Sequence, residues 1–144
     1  MAINRESRQT VKNLIVIALG GALGAVSRYL ISSWIHQWTE RTFGKAALFP
    51  LGTLIVNVLG SFLLGLVMQI AISTNAIREP WRMAIVIGFL GALTTFSTFS
   101  YETLHHAQAE RWSFAVANIV ASVLLCLLSV WGGMSLARAL FQGN

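Results

Sequence analysis

The stretch Gly88-Phe-Leu-Gly-Ala-Leu-Thr94-Thr-Phe-Ser-Thr-Phe-Ser100 decides how this chain folds. It lies within a strongly apolar part of the chain, yet five of the seven residues from Thr94 to Ser100 are serine or threonine. Such hydroxyls bond nearby carbonyls and compete with helical hydrogen bonds, while glycines permit conformations that other residues resist. The pattern predicts a helix break at Thr94 to Ser97, with a continuous helix as the alternative.

The composition around this stretch is that of a membrane protein. The chain has 144 residues, of which 56% are hydrophobic and 10% are charged, whereas soluble domains carry about 25% charged residues. The formal charge is +5, but the basic residues are scattered and form no stripe along a phosphate backbone, so nucleic acid is not an expected partner. No nucleophile with a positioned base is found, and an enzyme is not expected.

Four windows are long and apolar enough to cross a bilayer, which needs about 20 residues of helix. We therefore predict an all-α membrane protein in which residues 1–144 form a single domain of four transmembrane helices. Pro50 and Pro80 stand before the second and third windows, where the first turn of a helix tolerates proline. The predicted spans cover about residues 14–35, 51–72, 83–104 and 114–136.

The basic residues are almost evenly divided between the two sides of the membrane. Six lie on the side of the chain termini, namely Arg5, Arg8, Lys12, Arg78, Arg82 and Arg138, and four lie on the other side, namely Arg28, Arg41, Lys45 and Arg111. Since excess Lys and Arg sets orientation, so small a bias permits insertion both ways and antiparallel packing of two copies. Alternatively, the charges near the amino terminus fix one orientation.

Polar side chains recur at helical spacing within the predicted spans. In span two, Asn57 lies in a row between Thr53 and Ser61, and its amide suits either an interhelical clasp or a stop on an ion path. In span one, Arg28 continues a row of glycines at four-residue spacing, which favours helix packing over substrate contact. Buried polar groups of this kind are costly in lipid and are candidates for function.

Span four carries a polar stripe. Asn118, Ser122, Cys126 and Ser129 fall on one side of a helix. Their amide and hydroxyl groups could replace part of the hydration shell of a small anion. A helix-packing seam explains the same stripe equally well. Because Cys126 is the only cysteine, a disulfide within one chain is excluded.

Three stretches resemble the Fluc or CrcB family, which are small four-helix fluoride channels. The stretches are Gly20-Gly-Ala-Leu-Gly-Ala-Val-Ser-Arg28-Tyr, Gly52-Thr-Leu-Ile-Val-Asn57-Val-Leu-Gly-Ser-Phe and Gly88 to Phe99. The resemblance implies a fluoride-selective channel in the bacterial inner membrane that lets fluoride leave the cytoplasm passively and confers fluoride resistance. It also implies a dual-topology homodimer of antiparallel subunits, two pathways along the subunit interface and a structural sodium ion.

The resemblance also assigns residues. It places Asn57, Phe96 and Phe99 on the fluoride pathway, and the positive edges of the rings can solvate an anion. Backbone carbonyls of Gly91 and Thr94 would hold the sodium ion. The rest of the predicted pathway consists of Thr95, Ser97, Asn118 and Ser122. Two positions of this chain fit the family less clearly: Cys126 replaces an expected hydroxyl, and Glu102 resembles a vestibule glutamate but could equally be an acid at the membrane interface.

Two alternative hypotheses assign the chain to other classes of protein. Small proton-coupled multidrug exporters are also four-helix, dual-topology proteins, but this chain resembles them only in size. Such an exporter needs a membrane-embedded carboxylate, whereas spans one, two and four contain no acid and Glu102 lies near the end of its span. A purely structural assembly protein would use the polar rows as helix contacts only. That hypothesis leaves the predicted break after Thr94 unexplained.

Overall fold

The computed structural model describes residues 5–44, 49–74 and 77–141, and within these ranges every regular element is helical. The chain forms α1 (Arg5–Phe43) and α2 (Leu51–Thr74). It continues through the short α3 (Glu79–Arg82), a π-helical segment (Met83–Leu90) and the short α4 (Gly91–Leu93). It ends with α5 (Phe96–Gln108) and α6 (Trp112–Phe141).

Within these described ranges, four helical stretches are long and apolar enough to cross a membrane. They are α1, α2, the series from Glu79 to Gln108, and α6, so the chain is an all-helical, multi-pass membrane protein. The predicted windows fall within these stretches, but α1 is much longer than its window of residues 14–35. Its additional turns are polar and were outside the hydropathy signal, although they contain good helix formers. Gly44, with φ of 72°, lies directly after α1, where a left-handed residue commonly ends a helix.

The surface of the four-helix unit is largely apolar. Long side chains such as Leu19, Leu23 and Leu127 are more than 60% exposed, as expected where the surrounding solvent is lipid. The buried apolar cluster is small and consists of Val56, Leu90 and Leu93. Lys45, one of the basic residues counted above, lies outside the described residues.

Glycines allow two pairs of spans to approach backbone to backbone. Gly24 of α1 lies against the Phe89 carbonyl of the π-helical segment, and Gly133 of α6 lies against the Phe62 carbonyl of α2. A Cβ atom at either glycine would overlap that carbonyl. Small residues at such contacts supply the close packing that holds membrane helices together. Spans one and three are thereby joined, as are spans two and four.

Replacing Gly24 with alanine should destabilise the fold. The added methyl group has no space beside the Phe89 carbonyl, and overpacking of this kind typically costs about 1–3 kcal/mol. Gly21→Ala is the matched control on the same helix, because a Cβ atom there would lie at an ordinary 3.9 Å from the Gly88 carbonyl oxygen. Thermal unfolding in detergent should show a lower midpoint for Gly24→Ala only. Equal midpoints for the two variants would contradict the proposed contact.

Candidate functional site

The third span is interrupted near its middle. After α4 ends at Leu93, Thr94 has extended backbone angles (φ −79°, ψ 153°), as does Thr95 (φ −148°, ψ 112°). Helix α5 then begins at Phe96. An extended residue cannot continue the helical hydrogen bonds, so the peptide groups here need partners from another part of the chain.

Asn57 of α2 provides those partners. Its Nδ2 donates to the Thr95 carbonyl at 3.1 Å, and its Oδ1 accepts from the Thr95 amide at 2.8 Å. In an uninterrupted helix the Thr95 amide would instead donate to the Gly91 carbonyl, four residues earlier. Asn57 therefore bonds both the amide and the carbonyl of Thr95. As a consequence, the Gly91 carbonyl does not receive the Thr95 amide as its helical donor.

Hydroxyl groups stabilise both sides of the interruption. The Thr95 Oγ1 accepts from the Thr98 amide at 3.2 Å and so caps α5. The same oxygen is 3.2 Å from Ser97 Oγ. On the other side, Thr94 Oγ1 donates to the Leu90 carbonyl at 3.0 Å, and its methyl group lies against Gly60. Thr95 thus caps α5, and Thr94 adds a second hydrogen bond to the Leu90 carbonyl, which also accepts from the Thr94 amide at 3.1 Å.

An open cavity of about 550 Å³ lies beside the interruption. Its wall includes seven of the nine residues predicted for the pathway and the sodium site, but Ser97 and Asn118 are not part of it. Gly60, Ser61 and Cys126 also line it and were not predicted as site residues. The seven predicted residues that the cavity brings together are Asn57, Gly91, Thr94, Thr95, Phe96, Phe99 and Ser122.

The two phenylalanines lie side by side at the start of α5. Their ring centroids are 5.3 Å apart and their planes are inclined by 46°. Phe96 is 79% exposed, whereas Phe99 is half-buried. Because Phe96 touches little of its own chain, packing within the chain does not account for its position.

Glu102 lies on a different cavity. Its Oε1 accepts from Thr53 Oγ1 at 2.7 Å, and the carboxylate lines a second cavity of about 250 Å³ between α1, α2 and α5. His36 and Thr39 line the same space. The carboxylate is therefore separate from the wall of the Asn57 cavity.

The polar stripe of α6 continues into α5 through a residue that the sequence did not single out. Asn118 is buried, donates from Nδ2 to Thr103 Oγ1 at 2.8 Å and accepts at Oδ1 from Ser122 Oγ at 3.4 Å. Thr103 could have been noticed because it lies one helical turn beyond Phe99, on the same face.

Comparison with known proteins identifies the family. The family model described as CrcB-like protein, Camphor Resistance (CrcB), matches residues 15–134. The chain belongs to the CrcB-like family. The match extends across the interruption, both cavities and most of all four spans.

Several curated members are similar over most of their length. One from Geobacter metallireducens, named fluoride-specific ion channel FluC, is 46% identical over 127 residues, which cover 88% of this chain and 98% of that protein. Proteins of the same name from Pelobacter propionicus and Magnetococcus marinus are 41% and 44% identical over 134 and 122 residues. These alignments cover 93% and 85% of this chain, and 99% and 94% of the respective relatives.

The two hydrogen bonds between Asn57 and Thr95 can be tested by hydrogen exchange. Asn57→Leu removes both partners of the Thr95 peptide groups, and each unpaired buried group costs about 1–3 kcal/mol. Hydrogen exchange at the Thr95 amide should accelerate by roughly ten- to a hundredfold. Ser61→Ala, one turn along α2 and on the same cavity, should leave that rate unchanged. Unchanged exchange in Asn57→Leu would refute the clasp.

Proposed function

We propose that this chain is a fluoride-selective channel that lets fluoride leave the cytoplasm passively. The observation that carries the proposal is the cavity at the interrupted span. Its wall combines amide, hydroxyl and phenyl groups and contains no charged side chain among the described residues. Neutral donors can replace the water around an anion without binding it too tightly to leave.

The groups on the cavity wall are suited to a small anion. Asn57 Nδ2 carries two hydrogens, of which one is used on the Thr95 carbonyl, so the second can be offered to fluoride. The amino terminus of α5 begins at Phe96 and contributes the positive end of a helix dipole. The edges of Phe96 and Phe99 add weak positive potential. We include Thr95, Ser97 and Ser122 as the remaining polar groups of this route, and Asn118 as the buried partner of the Ser122 hydroxyl.

The names of the relatives support the same proposal. Proteins 41–46% identical to this chain are named fluoride-specific ion channels. Passive fluoride exit would protect a bacterium against fluoride, and we place the protein in the inner membrane, where such exit leaves the cytoplasm. The proposed activity is transport and involves no enzymatic step.

We propose further that the channel is an antiparallel homodimer. The cavity is open, and Phe96 projects from it with 79% of its surface exposed, so one subunit leaves the route incomplete. A second copy would cover this side and complete two routes along the shared interface. The balanced distribution of Lys and Arg permits the two orientations that this arrangement needs.

A structural sodium ion is the third part of the proposal. The Gly91 carbonyl lacks its helical donor because Asn57 takes the Thr95 amide, and Thr94 lies beside it on the cavity wall. The described residues contain no group of three or more His, Cys, Asp or Glu, so an ion here would depend on backbone oxygens. Carbonyl oxygens suit a hard cation. When bound, sodium would supply positive charge at the centre of the dimer.

Proton-coupled export remains a weaker candidate. Such an exporter needs a carboxylate on the substrate route, but Glu102, which lies toward the end of the third span, lines the second cavity and accepts a hydrogen bond from Thr53. This placement favours the channel over the exporter.

Purified protein in liposomes should therefore release fluoride down its gradient and strongly reject chloride. No proton gradient should be required, since the cavity wall offers no titrating carboxylate. A fluoride electrode measures the release, and a chloride electrode and a proton-driven cation exchange assay provide the comparisons. Chloride release at a similar rate, or dependence on a proton gradient, would overturn the proposal.

Phe96 gives a second test. If its ring edge solvates fluoride, Phe96→Ile should remain a folded dimer but conduct more slowly by about tenfold or more, because a residue without a ring quadrupole replaces it. Phe141→Ile, at the far end of α6, is the control and should conduct like the unmodified protein. Wild-type release from a well-folded Phe96→Ile dimer would remove this ring from the route.

A further inference from the structure

A chain of hydrogen bonds connects α5 with the Ser122 hydroxyl on the cavity wall. Thr103 Oγ1 donates to the Phe99 carbonyl at 2.7 Å and accepts from Asn118 Nδ2 at 2.8 Å. Asn118 Oδ1 accepts from Ser122 Oγ at 3.4 Å. Because the Asn118 side chain is only 1% exposed, its amide depends on these two neighbours for its hydrogen bonds.

The Phe99 carbonyl fixes the direction of every bond in this chain. A carbonyl only accepts, so it takes the single hydrogen of Thr103, and Thr103 can then only accept from Asn118. The NH₂ group of Asn118 must therefore face Thr103, and its carbonyl must face Ser122. As a result, the Ser122 hydrogen has a buried acceptor that is not part of the cavity wall.

We propose that Thr103 is a positioning residue that orients the Asn118 amide, so that the Asn118 carbonyl competes with fluoride for the Ser122 hydrogen. This inference rests on the proposed fluoride function. The 3.4 Å bond is longer than the usual range of about 2.5–3.0 Å for hydroxyl donors, so the hydroxyl is held weakly and can turn to an anion and back. Such competition weakens anion binding, which a conducting site needs for release.

Removing the Thr103 hydroxyl should reverse the orientation of the Asn118 side-chain amide. In Thr103→Val the Asn118 NH₂ group loses its acceptor, and turning it toward Ser122 recovers a bond to the Ser122 oxygen. The Ser122 hydrogen is then directed into the cavity, where water or fluoride can accept it. The reversed arrangement offers fluoride a donor without competition from the Asn118 carbonyl.

The test measures initial fluoride release from liposomes over a range of internal fluoride concentrations. Thr103→Val should lower both the half-saturating fluoride concentration and the maximal rate, each by roughly three- to tenfold, as expected for one hydrogen bond. Thr103→Ser keeps the hydroxyl and should match the unmodified protein. Asn118→Leu removes the competing carbonyl directly and should shift the half-saturating concentration in the same direction as Thr103→Val.

A double variant distinguishes a positioning role of Thr103 from a role in stabilising the fold. If Thr103 acts through Ser122, Thr103→Val should not shift the half-saturating concentration further once Ser122→Ala is present. A fold-supporting role would lower the amount of folded protein and leave the half-saturating concentration unchanged.

An unchanged half-saturating concentration in Thr103→Val, or an equal additional shift in the double variant, would overturn the positioning role while leaving the proposed channel intact. Absence of fluoride release from the unmodified protein would overturn both.

Discussion

The two hydrogen bonds between Asn57 and the peptide groups of Thr95 are the interaction on which the site depends. Inside a bilayer no water is available for an unpaired amide or carbonyl, so a helix can be interrupted only where other groups replace its bonds. Asn57 replaces them with one side chain. Because the same residue lines the cavity, the group that permits the interruption also forms part of the surface that the interruption creates.

The glycine contacts place Asn57 where it can act. Spans two and four meet at Gly65 and Gly133, and Gly60 provides the space for the Thr94 methyl group on the facing span. A larger residue at Gly60 would push Thr94 away from α2 and lengthen the distance that Asn57 bridges to Thr95. Close backbone packing at the glycines and the hydrogen bonds of Asn57 to Thr95 therefore support one another.

Hydropathy, residue spacing and family resemblance predicted much of this arrangement. The membrane class follows from 56% hydrophobic residues, and the concentration of hydroxyls after Leu93 indicated where the third span is unusual. Other features have no such signal. The polar start of α1 is helical but not apolar, and the apolar composition of Met83–Leu90 does not distinguish its π-helical form from an ordinary α-helix. Thr103 was overlooked because an isolated threonine in a helix usually bonds only its own backbone.

The placement of Asn118 shows why spacing alone could not define the route. By helical spacing Asn118 and Ser122 are equivalent, since both face the same side of α6. In the structure only Ser122 reaches the cavity wall, while Asn118 is buried behind it and bonded to α5. The difference comes from Thr103 of α5, which accepts from Asn118 and whose position no local pattern in α6 specifies. Within this polar stripe, Ser122 can therefore contact an anion, whereas Asn118 controls the hydrogen bond of Ser122.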